Sequence, residues 1–391
     1  MSLTLTQPTG TLLPAFNRIN YNLISTNADQ TGFKYVVKVY NGANELMATA
    51  YYDSPANPAD AIQFDISKFV QTNFAYTKGI LPSGTAINSA ELLQSFYIKC
   101  YEYYEVGGVF AIILDTEVVS ATKIAFAGAF PLLELKGFNE ALFNGSDNTT
   151  YKPLSDWSVI KLRSSDSQVF AFYNNGKITS LGLKIYLTNN TISNQTIAAP
   201  AYTANTITYF KVTPLTYGSV DRIEVTLNYN NGSARVANIA TMYIQACGKY
   251  EPMRLAYLNR YGAYDFLNFD LVSRTSFDIE RKSYQKDYTD DVFITGSNIV
   301  KNLNPVYFVK EMQKWRIISD YLTDEQSVLA RQLYSSPLVY MNLVNDNFVE
   351  NSWVPVKLTP NSYEMKKTIS DKLFNLELDL EFGLVNTRQS I

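Results

Sequence analysis

Three Asn-Gly pairs, each set between runs of alternating apolar and polar residues, constrain this 391-residue chain more than any other feature. Asn41-Gly42 separates FKYVVKVY from ELMATAYY, Asn175-Gly176 separates QVFAFY from KITSLGLKIYL, and Asn231-Gly232 separates RIEVTLNY from ARVANIATMYIQA. Asn and Gly both tolerate the positive φ that a tight hairpin turn requires at its two central positions, so the spacing predicts three β-hairpins. Elsewhere the period is also two. Ile19, Tyr21 and Leu23 alternate with Arg18, Asn20 and Asn22, as in a strand that packs one face and wets the other. The chain is expected to be mainly β.

Strand spacing predicts tandem β-sandwich modules of immunoglobulin or fibronectin-III type. The first covers residues 1–120, adding strands at AIQFDI, SFYIKCYEYYEV and VFAIILDTEVVSA and a short helix over Ser67–Tyr76. It lacks the Cys…Trp…Cys signature of antibody domains. Turn-forming residues cluster in FNGSDNTTYKPLSD, so residues 121–154 read as a linker, and a second sandwich-like module follows over 155–290. Residues 291–391 differ. Thr323-Asp-Glu-Gln326 has the capping-box spacing that opens a helix, DEQSVLARQLY, with Val328, Leu329 and Leu333 on one face. Strands at LVYMNLV, WVPVKL, YEMKKTI and LFNLELDLEFGLV complete a small α+β or β-rich C-terminal domain.

An apolar fraction of 46% against 18% charged is that of a folded globular protein. The 33 basic and 36 acidic residues are spread along the chain, so no basic track can neutralise a run of phosphates. Sequence-specific nucleic-acid binding and membrane binding are not expected. Cys100 and Cys247 match no metal or redox spacing and lie in apolar runs, which suits buried thiols in a reducing compartment. The N-terminus carries neither the basic nor the apolar region of a secretory signal, and the longest apolar run, Ile124–Leu133, is too short to span a bilayer. A soluble protein made in the cytoplasm is expected. The chain has no histidine, which removes imidazole bases, Ser-His and Cys-His pairs and His-ligated zinc.

What remains for chemistry is carboxylates. Glu377, Asp379 and Glu381 share one face of LELDLEF and could hold a hard cation, or simply be a solvated strand face. Asp287, Asp290 and Asp291 form a second cluster without the order of an EF-hand loop. Nothing singles out a glycosidase-type pair. The Asn-x-Ser/Thr triplets at Asn144, Asn148, Asn189, Asn194 and Asn231 read as turn composition. No cofactor and no metal are expected. The 29 Tyr and 22 Phe stand out, because tyrosine either lies over a sheet face with its hydroxyl wet or supplies rigid contact area at interfaces.

The stretch Tyr257-Leu-Asn-Arg-Tyr-Gly-Ala-Tyr-Asp265 resembles a W/Y-L-N-R-x-G-G-x-D signature in virion proteins of tailed phages infecting Bacteroidetes, crAss-like phages included. FKYVVKVYNGANEL and IQFDISKFV look like the N-terminal sandwich of that group, and WRIISDYLTDEQSVLARQLYSSPLVYM with WVPVKLTPNSYEMKK resembles its C-terminal part. The chain departs from the pattern at Ala263, where a second Gly is usual, and at Tyr257 and Tyr264, where Trp is common. Ala at a position needing positive φ would be strained, so a differently shaped turn is expected. The resemblance implies a non-enzymatic structural component of the particle: a neck, portal-proximal tail-ring or baseplate subunit in a cyclic homo-oligomer of six or twelve copies, contacting other virion proteins. It offers no catalytic residue. Asn259, Arg260, Tyr261, Gly262, Tyr264 and Asp265 are the expected structural turn or interface, with Asp265 placed to pair with Arg260 or to accept backbone N–H groups. Two strands are expected to flank VSRTS as a ribbon. A glycan- or receptor-binding adhesion module and a carboxylate-dependent polysaccharide hydrolase are the alternatives.

Overall fold

The computed structural model describes residues 2–76, 84–147, 149–202, 205–245, 250, 253–285, 304–343, 352–359, 373–382 and 386–387. Cys247, Asn148 and the Asp287, Asp290 and Asp291 cluster lie outside them. The chain is mainly β: among the described residues 56% are strand and 9% helix, in several sheets with no barrel. It divides into two compact units, one of residues 1–246 with Leu258–Asp265, the other of residues 247–257 with Phe266–Ile391.

The first unit begins with β1 (Leu3–Thr6), β2 (Leu12–Pro14), β3 (Asn20–Ser25), β4 (Lys34–Asn41), β5 (Leu46–Asp53), β6 (Ile62–Asp65), β7 (Ala86–Ser89), β8 (Leu93–Val106), β9 (Val109–Val119) and β10 (Lys123–Phe126). A three-stranded sheet β1-β3-β6 and a larger sheet β2-β10-β8-β4-β5, with β9 beside β8, share one core. Tyr21, Leu23 and Phe64 of the first meet Tyr35, Val37, Val39, Phe96, Ile98 and Cys100 of the second. Alternation along β4 and β8 turns the next residues outward into a lattice of rings and ammonium groups. Tyr40 stacks on Tyr97 at 5.2 Å, Lys38 sits 5.2 Å from the Tyr101 ring, and Lys99 sits 5.8 Å from Tyr40. Three of the 29 tyrosines are used there, with rings covering a sheet face. The expected helix over Ser67–Tyr76 is one α-helical turn, α1 (Ser67–Val70), followed by a 3₁₀ turn ending at Asn73.

Strands β11 (Val159–Arg163), β12 (Gln168–Asn174), β13 (Ile178–Leu187), β14 (Ile192–Ala198), β15 (Thr206–Val212), β16 (Val220–Asn230) and β17 (Ala234–Gln245) complete this unit in two sheets, β11-β17-β16-β13-β14 and β12-β15-β7. The three Asn-Gly pairs do different things. Asn231-Gly232 joins the paired β16 and β17, with the positive φ on Gly232. Asn41-Gly42 opens a three-residue loop whose positive φ falls on Asn44, while the Asn41 side chain accepts the Ala43 and Glu45 amides. Asn175-Gly176 makes no hairpin, because β12 and β13 belong to different sheets and the pair turns a corner between them. The two-residue turn with positive φ at both positions is instead Gly107-Gly108, between β8 and β9. Residues 121–154 contain β10, a short helix α2 (Leu132–Leu135), and the buried rings of Phe130, Phe143 and Tyr151.

The second unit carries an eight-stranded sheet ordered β19-β18-β23-β24-β26-β21-β20 with β27 beside β21; its elements are β18 (Met253–Leu258), β19 (Tyr264–Phe269), β20 (Arg274–Ser283), β21 (Val306–Ile318), β22 (Leu322–Thr323), α3 (Asp324–Ser335), β23 (Val339–Leu343), β24 (Ser352–Leu358), β25 (Leu373–Phe374), β26 (Glu377–Phe382) and β27 (Asn386–Thr387). Strands β19 and β20 stand at opposite ends of it, so the expected ribbon around VSRTS does not form. The capping box of α3 does. The Thr323 hydroxyl accepts the Gln326 amide, and the Gln326 side chain accepts the Thr323 amide. Its inward face, however, is Ser327, Ala330 and Leu333, with Val328 exposed; a spacing of three suited to a close approach by small side chains replaces the face expected from Val328.

Candidate functional site

Leu258–Asp265, the end of β18, a turn and the start of β19, is a compact knot of backbone and side-chain hydrogen bonds that belongs to the first unit. Asn259 organises it. Its amide donates to the Ala263 carbonyl at 2.8 Å, its carbonyl accepts from Gly262 at 3.0 Å, and its side-chain oxygen accepts from the amides of Tyr261 and Ala263 at 2.9 and 3.2 Å. The remaining amide group donates to the Leu154 carbonyl at 2.8 Å. An Asn side chain can close a turn this way because it mimics a backbone peptide. The positive φ lies at Gly262 (76°), not at Ala263, so the departure from a second Gly carries no strain. Glycine is required at 262 for a second reason: a Cβ there would stand 2.2 Å from the Ala127 carbonyl oxygen.

Arg260 projects into the segments around Phe130 and Asp156. One terminal nitrogen donates to Asp156 at 2.8 Å and also lies 3.1 Å from the Tyr261 hydroxyl, while the other pairs with Glu134. The Tyr261 hydroxyl donates to the same Asp156 oxygen at 2.7 Å. Burial is the largest single influence and opposes the guanidinium charge, but the bonds and charges of Asp156 and Tyr261 together outweigh it and raise the pKa. For Tyr261, burial first and the neighbouring Asp156 charge second push the phenol's pKa up. The Tyr261 ring packs edge-on against Phe130 at 5.3 Å and, tilted, against Phe143 at 5.5 Å, and Phe138 stacks on Phe143 at 5.5 Å. The Ala129 amide donates to the Arg260 carbonyl at 2.8 Å.

Asp265 does not pair with Arg260. The arginine's carboxylates are Asp156 and Glu134. Asp265 is 2% exposed, its carboxyl group faces Asn259 and Ser155, and its Oδ2 has no hydrogen-bond partner. Burial pushes its pKa up to about 7, against the lowering effect of Ser155 and Asn259. Tyr264 is buried beside it in sequence. The six expected residues therefore fall in one turn and the start of β19, with Asn259, Tyr261, Tyr264 and Asp265 buried and Arg260 partly so. What sequence reasoning missed is their partners. Glu134, Asp156 and Phe130 lie more than a hundred residues upstream, and only the ring-rich spelling FAGAFPLLELKGFNEALF hinted at a packed segment there.

The C-terminal carboxylates are taken up by cations on β21. Arg316 grips Asp379 with two nitrogens at 2.7 and 3.1 Å and lies 3.5 Å from Glu377, and Lys314 bridges Glu381 at 3.0 Å and Asp278 at 2.7 Å. Among the described residues no group of three or more acidic or cysteine side chains could hold a metal ion. Asn189 and Asn144 accept amides two residues on, as turn residues do. A second buried carboxylate went unnoticed in the sequence: Glu102, fully buried, accepts from Ser25 at 2.5 Å and from Asn27 at 3.0 Å, tying β8 to the facing sheet. No protein-family model matches the chain, and no curated protein matches it in sequence.

Proposed function

We propose that this chain is a non-catalytic structural subunit of a tailed-phage particle, in the neck, tail ring or baseplate, built from immunoglobulin- or fibronectin-III-like sandwich modules and a small C-terminal domain, and assembling as a cyclic oligomer. The reading rests on the resemblance centred on Leu258–Asp265. One observation supports it most: the polar side chains of that signature, Asn259, Arg260 and Tyr261, are spent on holding the loop to residues 127–156. A signature of this kind preserves a shape for others to bind. It leaves no reactive group facing a substrate. The mass of the purified full-length protein tests the proposal, with negative-stain images beside it. A closed ring is expected, and a monomer at every concentration would refute it.

The adhesion reading keeps one specific point in its favour. The half-buried Tyr40 and Tyr97 of β4 and β8, stacked on each other beside Lys99, form a polar-aromatic patch of a kind on which sugar rings stack. Binding of host-surface polysaccharide by the monomer would favour it.

A further inference from the structure

In the large sheet of the first unit, β5 at one end and β9, beside β8 on the side where β10 also pairs, pair on one side only among the described residues. An open edge offers unpaired N–H and C=O groups to any extended chain, and proteins usually blunt such edges with charge, proline or brevity. Several edges elsewhere in this chain follow that rule, although β12, at the edge of its three-stranded sheet, reads QVFAFYN without charge or proline and is buried throughout. Strand β20 carries Arg274, Asp278, Glu280, Arg281 and Lys282, β11 carries Lys161 and Arg163, and β14 presents the polar run Ser193 to Thr196. The two strands of the large sheet carry long uncharged runs. Val109 to Leu114 reads VFAIIL and Leu46 to Tyr52 reads LMATAYY, and the charges of these strands, Asp115 and Glu117 on β9 and Asp53 on β5, follow those runs. Val109, Phe110 and Leu114 are 65%, 49% and 70% exposed, and Leu46 and Tyr51 are each 54% exposed.

The registers show which backbone groups are free. The Gly107-Gly108 turn makes Val106 and Val109 a doubly hydrogen-bonded pair, so Ala111 and Ile113 also face β8 while Phe110 and Ile112 point their N–H and C=O groups outward. Consistently, the Glu105 amide, opposite Phe110, turns away from β9 to the Thr31 carbonyl. Carrying the alternation through β8 and β4 leaves Ala48 and Ala50 facing β4 and Thr49 and Tyr51 facing outward on β5. Since β9, β8, β4 and β5 are successively antiparallel, β9 and β5 run in opposite directions. A second copy placed alongside in the same orientation would continue the sheet as another antiparallel pair over about 20 Å of strand.

We propose that β9 of one copy pairs with β5 of the next, a head-to-tail contact between copies of this chain. The inference rests on the cyclic-oligomer reading and supplies its contact. Such a contact is heterologous, so it closes into a ring or runs on as a filament.

Ile112→Pro and Thr49→Pro each remove one outward N–H while leaving the bonds to β8 and β4 in place, and an edge strand tolerates proline there. Thermal unfolding is expected to show both variants folded. Ile112→Lys, which blocks by charge, is the second β9 variant should the proline perturb the hairpin. Light scattering should find the wild type oligomeric and each single variant monomeric. An equimolar mixture of the β9 and β5 variants should form two-chain particles and nothing larger, because only one intact contact can be made between them. Wild-type-sized assemblies from both folded variants would overturn the edge contact while leaving the ring reading intact. A dimeric Thr49→Pro beside a monomeric Ile112→Pro would mean β9 pairs with itself, which also overturns it. A monomeric wild type would refute the ring reading, and this contact with it.

Discussion

Replacing Asp265 by Asn keeps the shape of the side chain and removes its titration, which makes it the sharpest probe of the signature loop. In the unfolded chain an aspartate titrates near 3.9. In the fold, burial carries Asp265 to about 7. The protonated form is thus the one the loop accepts, and between those two values the folded state binds more protons than the unfolded. Stability from this group is fully present below about pH 4, falls as pH rises, and is gone above about pH 7. At 1.36 kcal/mol per unit the whole change is about 4 kcal/mol. It carries no discount for solvent, since the group is 2% exposed. Urea midpoints of wild type and Asp265→Asn measured from pH 4 to 8 are expected to agree at the acid end and to diverge steadily upward, the variant being the more stable above neutrality. Every other group titrates in both proteins, so the difference profile isolates this one. Parallel profiles, or a variant that loses stability at pH 8, would refute the account of a carboxyl buried in its neutral form.

Gly262→Ala is expected to cost more than the ~1–2 kcal/mol of a left-handed backbone alone, because its Cβ would collide with the Ala127 backbone; Gly107→Ala, with positive φ and nothing within 4 Å of the added carbon, is the control, and equal urea shifts for the two would refute the close approach. Burial pushes the Cys100 thiol up to about 12, so at pH 8 a thiol reagent should label Cys100 only on unfolding, read by peptide mapping; rapid labelling in the native protein would contradict the core placement.

Local patterns made the strands legible, and long-range pairing hid the rest. Period-two runs such as Tyr35, Val37 and Val39 announce a strand because one face must be dry. The same rule says nothing about which sheet a strand joins, which is why Asn175-Gly176 looked like a hairpin and turned out to be a corner. The helix opening at Thr323 was readable because a capping box is complete within four residues. Its buried face was not, since Ala330 and Ser327 are chosen by what approaches them and not by hydrophobicity. For the loop, the residues stood out in the sequence, but their partners Asp156 and Glu134 lie more than a hundred residues upstream, where no local pattern links them to it. Composition reports backbone preference. It cannot report that Tyr151 and Phe143 are buried.

The two buried carboxylates show how this chain spends groups that elsewhere do chemistry. Glu102 is held by a hydroxyl and an amide from the opposite sheet, and Asp265 is held beside Asn259 in the loop that Arg260 and Tyr261 clamp to Asp156. Each sits where two distant segments must keep a fixed relation. A buried polar group is costly unless partnered, so it penalises every arrangement but one. The exposed carboxylates of β26 are likewise matched to Arg316 and Lys314 across the sheet. With these groups engaged inside the units, the exposed apolar side chains of β5 and β9, Leu46, Tyr51, Val109, Phe110 and Leu114, stand open to an outside molecule on one sheet. If β9 of one copy pairs with β5 of the next, that sheet runs on from copy to copy; a ring held by other contacts would refute that pairing and leave the structural reading in place.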